Sequence, residues 1–146
     1  MDLWSTVLLV GAVGFGIYFA RAAAAGAMHR RHCRLLARQR GSGSFSAFRS
    51  RLKTDTLTEP QLAEIYAFLR AHGAPGFDIL PTDSLEQEFG VRRRYGVPIA
   101  EFLDDLRVLL GLPRVERVNP GELQTIGDLL EELDRESSDS NAKRLK

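Results

Sequence analysis

The stretch PIAEFLDDLRVLLGLP, residues 98–113, decides the fold class of this chain. Its apolar residues recur at spacings of three and four, which places them on one face of a helix. That face comprises Ile99, Phe102, Leu103, Leu106 and Leu110. Gly111 and Pro113 follow the last apolar position, and both residue types commonly end helices. The stretch therefore predicts an amphipathic helix that buries one side.

Two other segments carry the same kind of pattern. Thr58 can cap a helix, with Pro60 in its first turn and Gln61 completing a capping box. A second start lies at Thr125, with Asp128 three residues later. The apolar stripes that follow these two starts are Leu62, Ile65, Tyr66 and Leu69, and then Ile126, Leu129, Leu130 and Leu133. No alternating run of β-branched residues occurs, so the sequence predicts an all-α domain over residues 58–135, followed by a frayed polar tail at 136–146.

Charge is distributed unevenly along the 146 residues, although the formal net charge is only +1. Residues 3–54 contain nine basic and no acidic side chains, whereas residues 55–146 contain eleven basic and eighteen acidic ones. The chain is therefore neither a simple polycation nor a simple polyanion. Its one cysteine, Cys33, excludes an intrachain disulfide framework and a multi-cysteine metal site.

The N-terminal segment is the most apolar part of the chain. Residues 3–20 carry no charge, and residues 22–28 are again small and apolar. About 20 apolar residues suffice for a helix to cross a bilayer, so we predict a transmembrane helix over residues 3–28. A buried core helix, a cleaved signal peptide and an interfacial helix are the alternatives. They are less favoured because basic residues follow the segment rather than precede it, and because it lacks a polar face.

Five arginines follow this segment closely, and basic residues beside a span usually remain in the cytoplasm. We therefore expect a single-pass membrane protein with its N-terminus outside and its C-terminal domain in the cytoplasm. The membrane lipid bilayer would be one partner, and the arginines that would contact anionic headgroups are Arg30, Arg31, Arg34, Arg38 and Arg40. This position favours lipid over nucleic acid, so no nucleic-acid partner is expected. The same arginines would repel a cation from His29, His32 and Cys33, and no metal site is expected there either.

Small residues also share one face of the N-terminal helix. Gly16, Ala20 and Ala24 are spaced by four, an arrangement that lets two helices approach closely and predicts a possible homodimer. Residues 29–57 are then interpreted as a basic juxtamembrane segment and a flexible linker that contains the Gly/Ser run at 41–44. Within the linker, residues 45–53 form a short amphipathic turn, which lies either on the membrane surface or against the helical domain.

Three stretches resemble the acyl carrier protein family. SLEQEFG at 84–90 resembles a run in the long first loop of that family. Glu101-Phe102 and the apolar stripe behind them resemble its second helix, and TIGDL at 125–129 resembles the opening of its last helix. The resemblance covers residues 58–135 and implies a small four-helix bundle. It also implies a serine, at the start of the second helix, that carries a phosphopantetheine arm.

This chain departs from the family at that serine. Counting back from Leu110-Gly111 places Gly96 at the attachment position, and glycine has no hydroxyl to modify. Ser84 lies in an Asp-Ser-Leu triplet, but in the upstream loop. We therefore expect no cofactor, with phosphopantetheine bound only if Ser84 is modified.

The sequence as a whole predicts a membrane-anchored, non-catalytic, acyl-carrier-like module that docks a protein partner. Adjacent acidic pairs point to different helix faces and form no acid/base dyad, so no catalytic residues are expected. The predicted contact residues are Arg92, Arg93, Arg94, Tyr95, Glu101, Asp104 and Asp105. Residues 92–95 are alternatively a solvated loop. The alternative function is an acyl carrier that uses Ser84 in membrane lipid or acyl metabolism.

Overall fold

The computed structural model describes residues 3–72, 76–91, 99–113 and 121–144, with side chains from residue 20 onward except those of residues 22, 72 and 144. These ranges contain five helices, and the predicted all-α class is confirmed. The helices are α1 (Leu3–Arg40), α2 (Phe45–Ser50), α3 (Glu59–His72), α4 (Ile99–Leu110) and α5 (Ile126–Arg144). The only strand-like pairing within the described ranges is an isolated antiparallel bridge between Ser84 and Thr125, which lie outside the helices.

Side chains cap the start of α5 as the sequence predicts, and at α3 the Gln61 half of the predicted capping box forms, with the Thr58 hydroxyl donating to Gln61. The backbone N–H of Thr58 donates to Gln61 Oε1 at 2.9 Å. At α5 the bonds are reciprocal: the Thr125 N–H donates to Asp128 at 2.8 Å, and the Asp128 N–H donates to Thr125 Oγ1 at 3.2 Å. Each cap satisfies backbone donors that a helix start leaves open.

The predicted apolar stripes meet in one core. Leu62 and Ile65 of α3 are completely buried, as are Leu103 of α4 and Ile126 of α5. Four residues of the segment between α3 and α4 extend this core and are also buried: Ile79, Leu85, Phe89 and Val91. The core therefore draws on a loop segment as well as on the helices.

The segment predicted as a flexible linker belongs to the bundle. Ser44 caps α2 by accepting the Ala47 N–H at 3.2 Å. Phe48 is completely buried, and its ring lies 5.1 Å from that of Tyr66. Gly43 has a positive φ of 58° and packs so closely on Asp78 that a Cβ atom would collide with it. Of the two interpretations of residues 45–53, the structure therefore shows docking on the helical domain.

The predicted transmembrane helix at residues 3–28 is wrong for the part of the chain that the structure describes. No helix there is long and apolar enough to cross a membrane. Arg21 lies within the predicted span, and the residues that follow it, 22–28, are mostly alanine and glycine, which are only weakly apolar. The membrane and single-pass assignments are corrected accordingly. The predicted orientation depended on this span and is not tested.

The small-residue face of α1 is described only in part. The surroundings of Gly16 lie outside the described residues, whereas Ala20 and Ala24 are exposed. Dimerisation through this face stays a prediction.

The predicted frayed tail is helical instead. α5 continues to Arg144, and Glu136 and Ser137 are both buried within it. Glu136 has a buried partner on α4, the Arg107 guanidinium, which ties the first turn beyond residue 135 to the core.

Candidate interaction surfaces

The C-terminal half of α1 docks on the bundle through one stripe of side chains. Leu36 is buried against Phe77, and Cys33 and Ala37 pack around this contact. The spacing of residues 33, 36, 37 and 40 places them on one face of α1. This inner stripe fixes which side of the helix faces solvent.

Arg40 anchors the end of the inner stripe. Its Nη1 donates to Asp83 Oδ1 at 2.6 Å, and the Asp83 side chain is only 2% exposed. The Arg40 guanidinium also lies over the Phe77 ring, 5.9 Å from its centre. A buried carboxylate requires a compensating partner, and Arg40 supplies it. The structure thus places this predicted lipid-contacting arginine in an intramolecular ion pair.

His32 and Cys33 make a second polar contact with the bundle. His32 Nε2 lies 3.2 Å from Glu88 Oε1, and Glu88 also accepts the Ser84 N–H at 2.7 Å. Cys33 Sγ donates to the Glu88 backbone carbonyl at 3.9 Å and also lies 3.4 Å from His29 Nε2 on α1 itself. Within the described ranges, no group of three or more His, Cys, Asp or Glu residues is arranged to hold a metal ion.

The opposite side of α1 carries the other four arginines that were predicted to contact lipid, and we call it the basic face. Arg30, Arg31, Arg34, Arg38, Met28 and Leu35 form it, and all six are exposed. Met28 and Leu35 are 74% and 47% exposed. None of the four arginines forms an ion pair with a residue that the structure describes. Their predicted role at a lipid surface is not tested.

The outer side of α4 forms a second exposed surface, which we call the acidic face. Glu101, Asp105, Val108 and Leu109 form it, with helical spacings that place them on one side. Val108 is 65% and Leu109 is 42% exposed. Glu101 and Asp105 are exposed and make no ion pair with any residue in the described ranges. Two of the predicted contact carboxylates therefore adjoin an apolar patch.

Asp104, the third predicted carboxylate, has a structural role. Arg107 Nη1 donates to Asp104 at 2.7 Å, while Arg107 Nε donates to Glu136 at 2.8 Å and a second nitrogen contacts the same carboxylate. The hydrogen bond with Glu136 outweighs burial and raises the pKa of Arg107 above its usual range. Sequence reasoning missed this pair, because Arg107 lies between Leu106 and Leu110 of the apolar stripe and its partner is 29 residues away.

The remaining predicted contacts, Arg92, Arg93, Arg94 and Tyr95, lie outside the described residues, as does Gly96. The structure thus describes three of the seven predicted contact residues. It places two of them, Glu101 and Asp105, on one exposed face.

Ser84 occupies a structural turn. Its Oγ accepts the N–H groups of Glu86 at 3.2 Å and Gln87 at 3.1 Å. Its backbone takes part in the bridge with Thr125. The residue lies well upstream of Ile99, where α4 begins, rather than at the start of that helix.

Two further carboxylates bind backbone groups. Asp134 accepts the N–H groups of Asp55, Thr56 and Leu57, between 2.9 and 3.2 Å. Burial opposes ionisation of Asp134, but these bonds and one from the Thr56 hydroxyl prevail and lower its pKa. Asp128 has a lowered pKa for the same reason, with burial offset by bonds from Thr125 and Gln124. Sequence reasoning found Asp128 through its capping motif and missed Asp134, which has no local motif.

No family model, curated protein or solved structure matches this chain. The acyl-carrier-like resemblance of residues 58–135 rests on its three sequence stretches.

Proposed function

We propose that this chain is a non-catalytic helical module that binds a protein partner through the acidic face of α4. The observation that carries the proposal is the exposure of Val108 and Leu109 beside the carboxylates of Glu101 and Asp105. The apolar pair lies outside the buried core, so stability of the bundle does not account for it.

The chemistry of this face indicates the kind of partner. Contiguous exposed apolar groups beside polar residues are typical of interaction sites. Unpaired carboxylates add long-range attraction to a basic surface, which mainly affects the association rate and the orientation of the complex. The expected partner therefore presents apolar side chains flanked by lysine or arginine.

An acyl-carrier-like origin of the bundle remains part of this proposal. Two of the stretches that carry the resemblance, 84–90 and 125–129, lie side by side: the Leu85 N–H donates to the Gln124 carbonyl, and the Ile126 N–H donates to the Asp83 carbonyl, both at 2.9 Å. This packing supports their interpretation as parts of one unit. A carrier that uses Ser84 is less favoured, because its hydroxyl accepts two turn amides.

Site-specific photo-crosslinking tests the proposed function. A photoreactive amino acid would replace Val108 in the full-length chain, and the matched control would replace Glu64, an exposed residue of α3. We expect a protein adduct at position 108 and little or none at position 64. Equal labelling at both positions, or no protein adduct at position 108, would contradict the proposal.

Intact mass separates the module from the alternative carrier. The full-length chain would be co-expressed with a phosphopantetheinyl transferase, beside a Ser84→Ala variant. The proposed module keeps its unmodified mass in both cases. A mass gain of one phosphopantetheine that disappears in Ser84→Ala would identify a working carrier instead.

A further inference from the structure

We infer that the acidic face of one copy binds the basic face of a second copy of this chain. This inference rests on the proposed function, because it names the partner of the same α4 surface. The two faces are complementary in charge, and each also carries exposed apolar side chains.

The distribution of exposed apolar residues is the first observation. In the described residues, four large apolar side chains are exposed: Met28, Leu35, Val108 and Leu109. Two lie on the basic face and two on the acidic face. Each face therefore supplies apolar area that the other can cover, and burial of apolar area is the main favourable contribution to association.

Unpaired charge is the second observation. The basic face carries four arginines, and the acidic face carries Glu101 and Asp105, none of them in an ion pair within the described residues. Leu35 lies between Arg31 and Arg38 on its helix, one turn from each, whereas Val108 and Leu109 follow the two carboxylates. Joining the faces would bring opposite charges together around an apolar centre, as in protein interfaces generally.

The way α1 docks makes this contact intermolecular. Leu36 and Arg40 hold the inner stripe of α1 against the residues around Phe77 and Asp83. The basic face therefore points away from the bundle to which it belongs. It reaches an acidic face only on another molecule.

A lipid surface and a nucleic acid are the competing ligands for an arginine-rich helix, because arginine binds phosphates. A lipid surface bound to the basic face would leave the exposed Val108 and Leu109 of the acidic face uncovered. Met28 and Leu35 favour a protein surface, since a phosphate backbone offers their exposed apolar groups no complement. The acidic face has no such competing ligand class, because its carboxylates would repel phosphates.

Charge reversal with complementation tests the inference. One full-length variant carries Arg31→Glu and Arg38→Glu, and the other carries Glu101→Arg and Asp105→Arg. The matched controls reverse exposed charges elsewhere: Lys53→Glu with Lys143→Glu, and Glu64→Arg with Asp139→Arg. Circular dichroism confirms that each variant keeps its helices, and sedimentation equilibrium measures self-association.

We expect the wild-type chain to self-associate. The dissociation constant of each face variant should be higher than that of the wild type by at least about tenfold. Mixing the two face variants should restore association, because each then offers a face of the sign that the other needs. The controls should match the wild type. Association should also weaken between about 0.1 M and about 1 M salt, where the screening length falls from about 10 Å to about 3 Å.

Three results would overturn the inference. These are a monomeric wild-type chain at all accessible concentrations, face variants that associate as well as the wild type, and a mixture that stays monomeric. Tight binding of a duplex oligonucleotide by a monomeric wild-type chain would assign the basic face to nucleic acid instead. An adduct between position 108 and a different protein, with no self-adduct, would reject the second copy yet leave the proposed function intact.

Discussion

The two terminal helices, α1 and α5, attach to the bundle in different ways. α5 contributes Ile126, Leu129 and Leu133 to the core, all completely buried. Among the described side chains of α1, Leu36 is the one buried apolar residue, and polar contacts of His32 and Arg40 account for much of the rest. α5 is therefore part of the core, whereas the described half of α1 is a helix docked onto its surface.

This difference predicts different responses to damage. A helix that supplies core residues unfolds with the whole domain, whereas a docked helix can open locally at lower free energy. An ion pair between an arginine and a buried carboxylate also links each helix to the rest of the fold: Arg107–Glu136 for α5 and Arg40–Asp83 for α1. Removing each pair in turn therefore tests whether α5 unfolds with the whole domain and whether α1 opens locally.

The largest effect is expected from Arg107→Met. The substitution leaves the buried Glu136 carboxylate without its guanidinium, and breaking a buried pair in this way costs about 3–5 kcal/mol. Urea unfolding of the full-length chain measures this loss as a lower midpoint.

The double variant Arg107→Met with Glu136→Leu is the control for that change. It removes both charges, so most of the lost stability should return. A double variant as unstable as Arg107→Met alone would show that the packing of the arginine stem, rather than the unpaired charge, explains the effect.

Substitution of Asp134 should have the next largest effect on the free energy of unfolding, and this effect should depend on pH. Asp134→Asn removes the charge that binds three backbone N–H groups, and we expect a loss of about 2–3 kcal/mol at neutral pH. The pKa of Asp134 is lower in the folded chain than its ordinary value of about 3.9. The ionised carboxylate therefore stabilises the fold fully above about pH 3.9, and this stabilisation is lost as the pH falls through the lower pKa of the folded state.

Denaturation of wild type and Asp134→Asn across this acidic range tests the sign. The difference in their stability should shrink as the pH falls. Asp139→Asn, an exposed change on the same helix, should show neither the loss nor the pH dependence. A difference that stays constant with pH would mean that the ionised form of Asp134 has no special role.

These long-range pairs also explain which parts of the structure the sequence could predict. The helices at 59–72 and 99–110 and the first part of α5 follow from apolar periodicity and local start or stop signals, which lie within a few residues of one another. The polar end of α5 and the docking of residues 29–57 depend on partners far along the chain. A local pattern contains no information about them.

The candidate surfaces also combine features that a local pattern predicts with features that depend on distant residues. Residue type and helical spacing predicted that Glu101 and Asp105 lie on an exposed face of α4, as they do. The separation of Asp104 from them depends on Arg107, and the division of the arginine cluster into an inner stripe and a basic face depends on Asp83. Both follow only from the tertiary fold.

Arg40→Met should have a smaller and more local effect. Without Arg40, Asp83 is left with fewer partners, and we expect the free energy for opening residues 29–40 to fall by about 2 kcal/mol. Hydrogen exchange of these amides should accelerate about thirtyfold, whereas exchange in α5 should change less. Arg38→Met is the matched control, since Arg38 lies on the exposed basic face. Equal acceleration in α1 and α5 would show that α1 opens only when the whole bundle unfolds.

The smallest effect is expected from His32→Gln, which removes the other polar link between α1 and the bundle. The His32 side chain is 44% exposed, so water screens its interaction with Glu88, and such pairs contribute about 0–1 kcal/mol. Glu88 also retains the Ser84 N–H as a donor, and its carboxylate therefore does not become an unpaired buried charge. Exchange of residues 29–40 should rise less than in Arg40→Met, with Arg31→Gln on the basic face as the control. A larger effect from His32 than from Arg40 would reverse the ranking and place the main anchor of α1 in the middle of the docked segment rather than at its end.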